Sequence, residues 1–537
     1  YSIASQPVTL TVDCSGIGEN ERVESVELIN SKGKVLDTLL TADAFEYFKK
    51  KDNTVSFTFT APYQNYSVRA TTGKKPEETA PVMNGRGSIV KMDVQSGPKE
   101  IVPTDIYTFE DLKRVARAVA EEPETYAHAN FTVMNDIDAD GEEWVLPIGT
   151  AVNAYNGTFN GKGHSISGMK ADGNGLQGLF GRVGPQGVVK NLRIFDTDIR
   201  SGTAYAGAVA AINEGRIEYC QAGAGHLLTD NADAPDLDDM NIHIESGTAA
   251  GGVAGKNSGV IINTSSAGRV SAQTAGGLAG ENSGEIRNSF GTVIANIEGR
   301  LYTGGIAGNN EGTMRNVYFG GHASGGADGA IAGRNISETL DACYYDNSMD
   351  DASGEGNATA QSVPVSEMKT DTFKDQLNSR VTEGAYYWHR DDKINLGLPY
   401  ISQNTYSSRI LEDPATGISL TGEQIHAAAV LTITPIESSS PDYMSLLEKN
   451  SGLLGLYDIS LTTPTGDVPF EGTLDLASPF TDKETDKIGI LHQSSENSEI
   501  YTAKMGSDGR YHIVTNHLSL FGIVSMPSGL CALLPAA

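Results

Sequence analysis

Five short strings in the middle of the chain repeat one another, and they fix the kind of core it can build. GAVAAIN, GGVAGKN, GGLAGEN, GGIAGNN and GAIAGRN end at Asn213, Asn257, Asn282, Asn310 and Asn335. A degenerate sixth, GLFG, starts at Gly178. In each full string one aliphatic anchor (Val209, Val253, Leu278, Ile306 or Ile331) stands four places before the Asn, and successive anchors are 44, 25, 28 and 25 residues apart. A unit of this length cannot bury its own apolar face and must stack on its neighbours. Four of the Asn residues are followed two places later by Gly215, Gly259, Gly284 and Gly312. Asn and Gly tolerate positive φ, so each rung is expected to turn there, and a column of Asn is expected to form a side-chain hydrogen-bond ladder. Runs with helical periodicity are missing from the repeats, so the expected fold is a right-handed parallel β-helix.

The spacing of 44 then reads as a rung with an insertion at about 225–247. It carries Asp230, Asp233, Asp236, Asp238 and Asp239, and insertions project from one face of a solenoid. This acidic loop is the first candidate for contact with a ligand. Ahead of the repeats, Thr108 precedes a stretch with Phe109, Leu112, Val115, Ala116 and Val119 on one helical face. That helix is expected to cap the open strand edges of the first rung.

These residues resemble the GLUG repeats of bacterial surface adhesins and of some immunoglobulin A peptidases. The stretches NDID (135–138), PIG (147–149) and GTFNGKGHSISG (157–168) are similar to the usual entry into such a region. CYYD (343–346), MKT (368–370) and GLPY (397–400) are similar to its exit. The C-terminal strings YDISL (457–461), GTLDL (472–476) and TNHLSLFGIV (515–524) are similar to a β-sandwich module of Gram-positive surface proteins. Period-two strings VTLTV (8–12), SVELI (25–29) and SFTFT (56–60) predict an Ig-like sandwich at the N-terminus as well. The expected organisation is all-β: an N-terminal sandwich over 1–97, a capped β-helix over 98–402 and a C-terminal sandwich over 403–537.

With 39 basic and 68 acidic residues the net charge is −29, which excludes nucleic-acid binding. No stretch approaches the roughly 20 apolar residues that span a bilayer, so direct membrane insertion is not expected and any anchor is expected outside this chain. Cys14, Cys220, Cys343 and Cys531 form no CxxC pair. Cys220, Thr264, Ser289, Val317 and Cys343 are expected to share an inward column, four rungs separating the two thiols and precluding a disulfide.

Signs of catalysis are few. The resemblance to peptidases implies a separate HExxH zinc domain, and no two histidines here have that spacing. His512 and His517 form the nearest pair, with no acidic residue between them, and read as strand residues. Asp136, Asp138, Asp140 and Gly141 mimic a calcium loop, but Pro147 stands where the bidentate Glu would be, so they read as a turn. Enzymatic β-helices need carboxylates on adjacent rungs, and the position after the repeat Asn holds Glu214, Ser258, Ser283, Glu311 and Ile336. The expectation is a monomeric extracellular surface protein, an adhesin or display stalk with a glycan or protein ligand, without cofactor, metal or catalysis. The alternative is a polysaccharide-degrading β-helix enzyme.

Overall fold

The computed structural model describes five N-terminal strands by their backbone pairing, and then residues 102–223, 242–292, 295–337, 339–383, 386–449, 452–466, 468–478, 486–493, 498–502 and 504–527. The chain forms two compact units, Tyr1–Val363 and Pro364–Ala537.

The first unit opens with two antiparallel sheets. Gln6–Asp13 pairs with Thr54–Ala61, and Glu21–Asn30 lies between Val35–Leu40 and Tyr66–Lys74. A parallel solenoid follows. One turn runs through Ala279–Asn282, Glu285–Gly291 and Asn296–Gly304, and the chain then returns at Ala307–Asn310. Stacked turns produce three sheets around one core, here called sheet III, sheet I and sheet II in the order just given. Sheet I has 15 strands, sheet II eight and sheet III seven. The five anchors are fully buried. Their backbones follow the stack, with Val253 N–H donating to Leu278 O, Leu278 to Ile306 O and Ile306 to Ile331 O at 2.9–3.1 Å. Burial of one such side chain stabilises by about 1.5–3 kcal/mol, and repetition multiplies that gain. Sheet III runs one rung past the last repeat string, to Ser353–Gly356, which has no aliphatic anchor to mark it.

The Asn column is a ladder. Asn213 Nδ2 donates to Asn257 Oδ1, Asn257 to Asn282, Asn282 to Asn310 and Asn310 to Asn335, at 2.7–2.8 Å. Sheet III strands end at these residues and, in four of the rungs, sheet I resumes three residues later, so the chain turns there as expected, but none of the five Asn takes positive φ. The left-handed residue of each rung stands further along, at Tyr219, Asn263, Asn288, Asn316 and Ala342, with φ between 46° and 53°. Gly259 is needed for close approach instead: a Cβ there would lie 2.1 Å from Gly215 O.

Helix α1, Phe109–Glu121, precedes the first rung, with Thr108 and Asp111 forming a reciprocal capping box. Phe109, Leu112, Val115, Ala116 and Val119 are buried in the solenoid core, and the Phe109 ring stands 5.5 Å from that of Trp144. The expected insertion is shorter than 225–247. Ile242–Ser246 is a sheet II strand, parallel to Thr197–Ser201, because Ile242 and Ile244 alternate into the core. The insertion is therefore confined to 224–241, and Asp230, Asp233, Asp236, Asp238 and Asp239 fall outside the described residues, as do Cys14 and Cys531.

In the second unit, two five-stranded antiparallel sheets share a core that includes Leu420, Leu476 and Ile513 from one and Ile459, Ile490 and Ile523 from the other. The division at Val363 differs from the boundary expected at 402. Helix α2, Asp371–Asn378, and the hairpin of Tyr387–His389 with Tyr400–Ser402 belong with the sandwich. Buried Arg409 explains this grouping: it donates to the carbonyls of His426, Ala427 and Ala429 and pairs with Asp375 at 2.8 Å. Asn378 Nδ2 adds bonds to Trp388 O and Ala427 O.

Candidate ligand-binding face

Outward columns of the solenoid alternate with the buried ones, as the strand period requires. On sheets I and III most charges in these columns are paired. Arg182 holds Glu214 at 2.8 Å, Lys256 holds Glu281 at 3.6 Å and Arg334 holds Glu355 at 3.4 Å, each across rungs. Arg216 and Glu218 pair along one strand at 2.9 Å.

Sheet II differs. Parallel register aligns Lys170, Asp198, His243, Arg269 and Asn296 on five consecutive rungs. A second column two residues on holds Asp172, Arg200, Glu245, Ser271 and Glu298. Arg200 donates from Nε and Nη2 to the two oxygens of Asp198 at 2.9 and 3.0 Å, and His243 Nδ1 lies 3.4 Å from the same carboxylate. Lys170, Glu245 and Arg269 make no side-chain hydrogen bond or ion pair among the described residues.

A trench of about 900 Å³ runs along this face. Its lining advances one rung at a time, from Asp138 and Asp140 through Lys170, Asp198, His243 and Arg269 to Asn296. Gly168 and Gly268, at φ 69° and 105°, form part of its floor. Both positions need glycine for close approach to the preceding rung: a Cβ would lie 3.0 Å from Asp140 N at Gly168 and 2.5 Å from Ile242 O at Gly268. A second hollow of about 340 Å³ shares Lys170 and Asp198 with the trench. A third, of about 420 Å³, lies among Glu245, Ser271, Glu298 and Arg300. Ile242, the first described residue after the acidic insertion, is part of the trench lining.

The calcium-like stretch is a turn at the head of this trench. Asp138 Oδ1 accepts Asp140 N–H at 2.8 Å, and Asp136 accepts Ser165 N–H at 2.8 Å. Burial alone would raise the Asp136 pKa; the Ser165 bonds and the nearby Arg193 and His164 outweigh it and hold it below the ordinary value. Among the described residues no group of three His, Cys, Asp or Glu side chains is placed to hold a metal. No register column there carries carboxylates on two consecutive rungs. No described helix is long and apolar enough to cross a membrane.

Cys220 and Cys343 lie in one inward column with Thr264, Ser289 and Val317 between them, both thiols free. Burial pushes both up to about 12, far from a reactive thiolate.

Sequence reading missed one cluster in the second unit. His512 Nδ1 lies 3.0 Å from Asp475 and its Nε2 lies 3.0 Å from Asp508. Asp475 comes from the neighbouring strand, 37 residues away in the chain, so no local motif announces it. Partial burial alone would lower the imidazole pKa, but the bonds to Asp508 and Asp475 outweigh it and hold it above its usual value. His517 bonds to its neighbours Thr515 and Asn516.

No family model matches the chain. Over 224 residues, 39% of its length, it is 28% identical to halomucin of Haloquadratum walsbyi. Over 107 residues, 18% of its length, it is 33% identical to a candidate Gly-rich membrane protein of Evansella cellulosilytica. The matched stretches span 2% and 12% of those proteins. A solved structure of a candidate immunoglobulin A1 protease from Bacteroides ovatus is also similar, at 20% identity and a TM-score of 0.37. That match covers 51% of this chain and 85% of the other.

Proposed function

We propose that this chain is part of a cell-surface or secreted adhesin of the GLUG-repeat type, which holds an extracellular glycan or protein on its solenoid and performs no catalysis. The observation that carries this reading is the contrast between faces. Two sheets pair most of their outward charges, whereas sheet II leaves Lys170 and Arg269, which line its polar trench, without a hydrogen bond or ion pair among the described residues. Charges spared from internal pairing are available to a ligand. The similarity to halomucin and to a protein named for the membrane supports a place at the cell surface.

A glycan and extracellular-matrix protein array tests the proposal, with the intact chain beside a variant lacking 224–241. Binding by either form is the expected result, and its loss on deletion would assign the contact to the insertion. Silence from both across the array would count against an adhesin. Release of shortened products from any arrayed polysaccharide would replace it with the enzyme reading.

A further inference from the structure

We propose that the sheet II trench binds an uncharged linear polysaccharide laid along the solenoid axis, across the rungs. This rests on the adhesin reading above and names the site and the ligand class.

Shape gives the first argument. The trench crosses six rungs, from Asp138 to Asn296, which is about 24 Å at a strand spacing of about 4.8 Å. A hollow this long and polar suits a polymer rather than a compact small molecule, whose pockets are mostly apolar and enclosing. Register gives the second. Lys170, Asp198, His243, Arg269 and Asn296 present a polar group on every rung of one column, so an extended chain meets a partner at each step.

Chemistry then separates the polymers. Four carboxylates line the trench (Asp138, Asp140, Asp196 and Asp198) against the cations Lys170 and Arg269, in a chain of net charge −29. A polyanion is repelled by that balance. An extended peptide docks by adding to a free strand edge, a helix by an apolar groove and a polyproline segment by an aromatic-lined one. The strands carrying Asp198, His243 and Arg269 are paired on both sides, and no Phe, Tyr or Trp lines the trench. Carboxylates that accept, beside lysine, arginine and asparagine nitrogens that donate, match sugar hydroxyls, which do both.

The test is calorimetric titration of the whole chain with a neutral mixed-linkage β-glucan, a galactomannan and polygalacturonate, and with neutral oligosaccharides of increasing length. Affinity for a neutral polymer should rise with oligosaccharide length until the trench is filled. Replacing the exposed Lys170 and Arg269 together by Ala should weaken it about tenfold or more. Asn296→Trp should block it, while Lys256→Ala on sheet III should leave it unchanged. Unaltered melting temperatures establish that the variants are folded. Polygalacturonate binding tighter than the neutral polymers, or affinity independent of length, would overturn the proposal. Glycan binding that survives both trench changes would overturn this site and leave the adhesin reading standing. Binding confined to arrayed proteins would overturn the ligand class alone, and no binding to any glycan or protein would remove both.

Discussion

Asn282 shows how much one side chain can carry in a stacked fold. It accepts from Asn257 and donates to Asn310 while almost fully buried, so Ala there leaves a buried partner unmet on each side. Asn213 stands at the end of the ladder, where its Oδ1 already lacks a partner. Asn282→Ala should therefore cost about 2 kcal/mol in denaturant unfolding, and Asn213→Ala clearly less. Equal losses would mean that the ladder is not cooperative. His512 makes a second residue-scale case. Its pKa is raised on folding, so its contribution is complete below the ordinary imidazole value, near 6.5, and fades as pH rises through the elevated one. Asp508 is held low by the His512 hydrogen bond, so its share is lost only as pH falls through that depressed value. The melting transition of the C-terminal sandwich should weaken above neutrality, and His512→Gln should flatten this dependence. Superimposable pH profiles for the two proteins would refute the clip.

Among elements, the cap helix α1 gives a graded comparison. Thr108→Ala removes one capping bond and should cost about 1 kcal/mol. Asp111→Ala removes the other half of the capping box and leaves Arg114, 2.6 Å away and 4% exposed, as a buried cation without this carboxylate. Its cost should reach about 3 kcal/mol. Thermal unfolding of both variants checks the order, and a reversal would show that the ion pair contributes less than the cap. The helix was legible in the sequence because its apolar spacing and Thr108 are local signals. The left-handed residue inside each sheet I segment was not. Asn257 and Asn263 are both Asn, and only the finished strands decide which of them takes positive φ. The strand at Ile242–Ser246 was obscured in the same way, since its alternation is too short to stand out beside an acidic insertion.

For the whole molecule, the boundary at Val363 leads to a test with fragments. A fragment of 364–537 retains Asp375 and Asn378, whereas one of 403–537 keeps Arg409 on the carbonyls of His426, Ala427 and Ala429 but leaves this buried cation without its Asp375 carboxylate. The longer fragment should unfold cooperatively and the shorter one should be at least about 3 kcal/mol less stable. Equal stability in urea would place the boundary back at 402.

What the sequence determined by itself is the solenoid. Stacking by translation makes every position its own neighbour, so the Gly, anchor and Asn columns had to be visible as a repeat. The same logic made the inward column of Cys220, Thr264, Ser289, Val317 and Cys343 readable. Tertiary structure alone decided which face keeps its charges free, since pairing depends on side chains a rung or more apart, such as Arg182 with Glu214 or Lys256 with Glu281. It also decided that a trench opens along sheet II, and that His512 meets Asp475. Each of these depends on distance in space between residues whose separation along the chain carries no periodic signal.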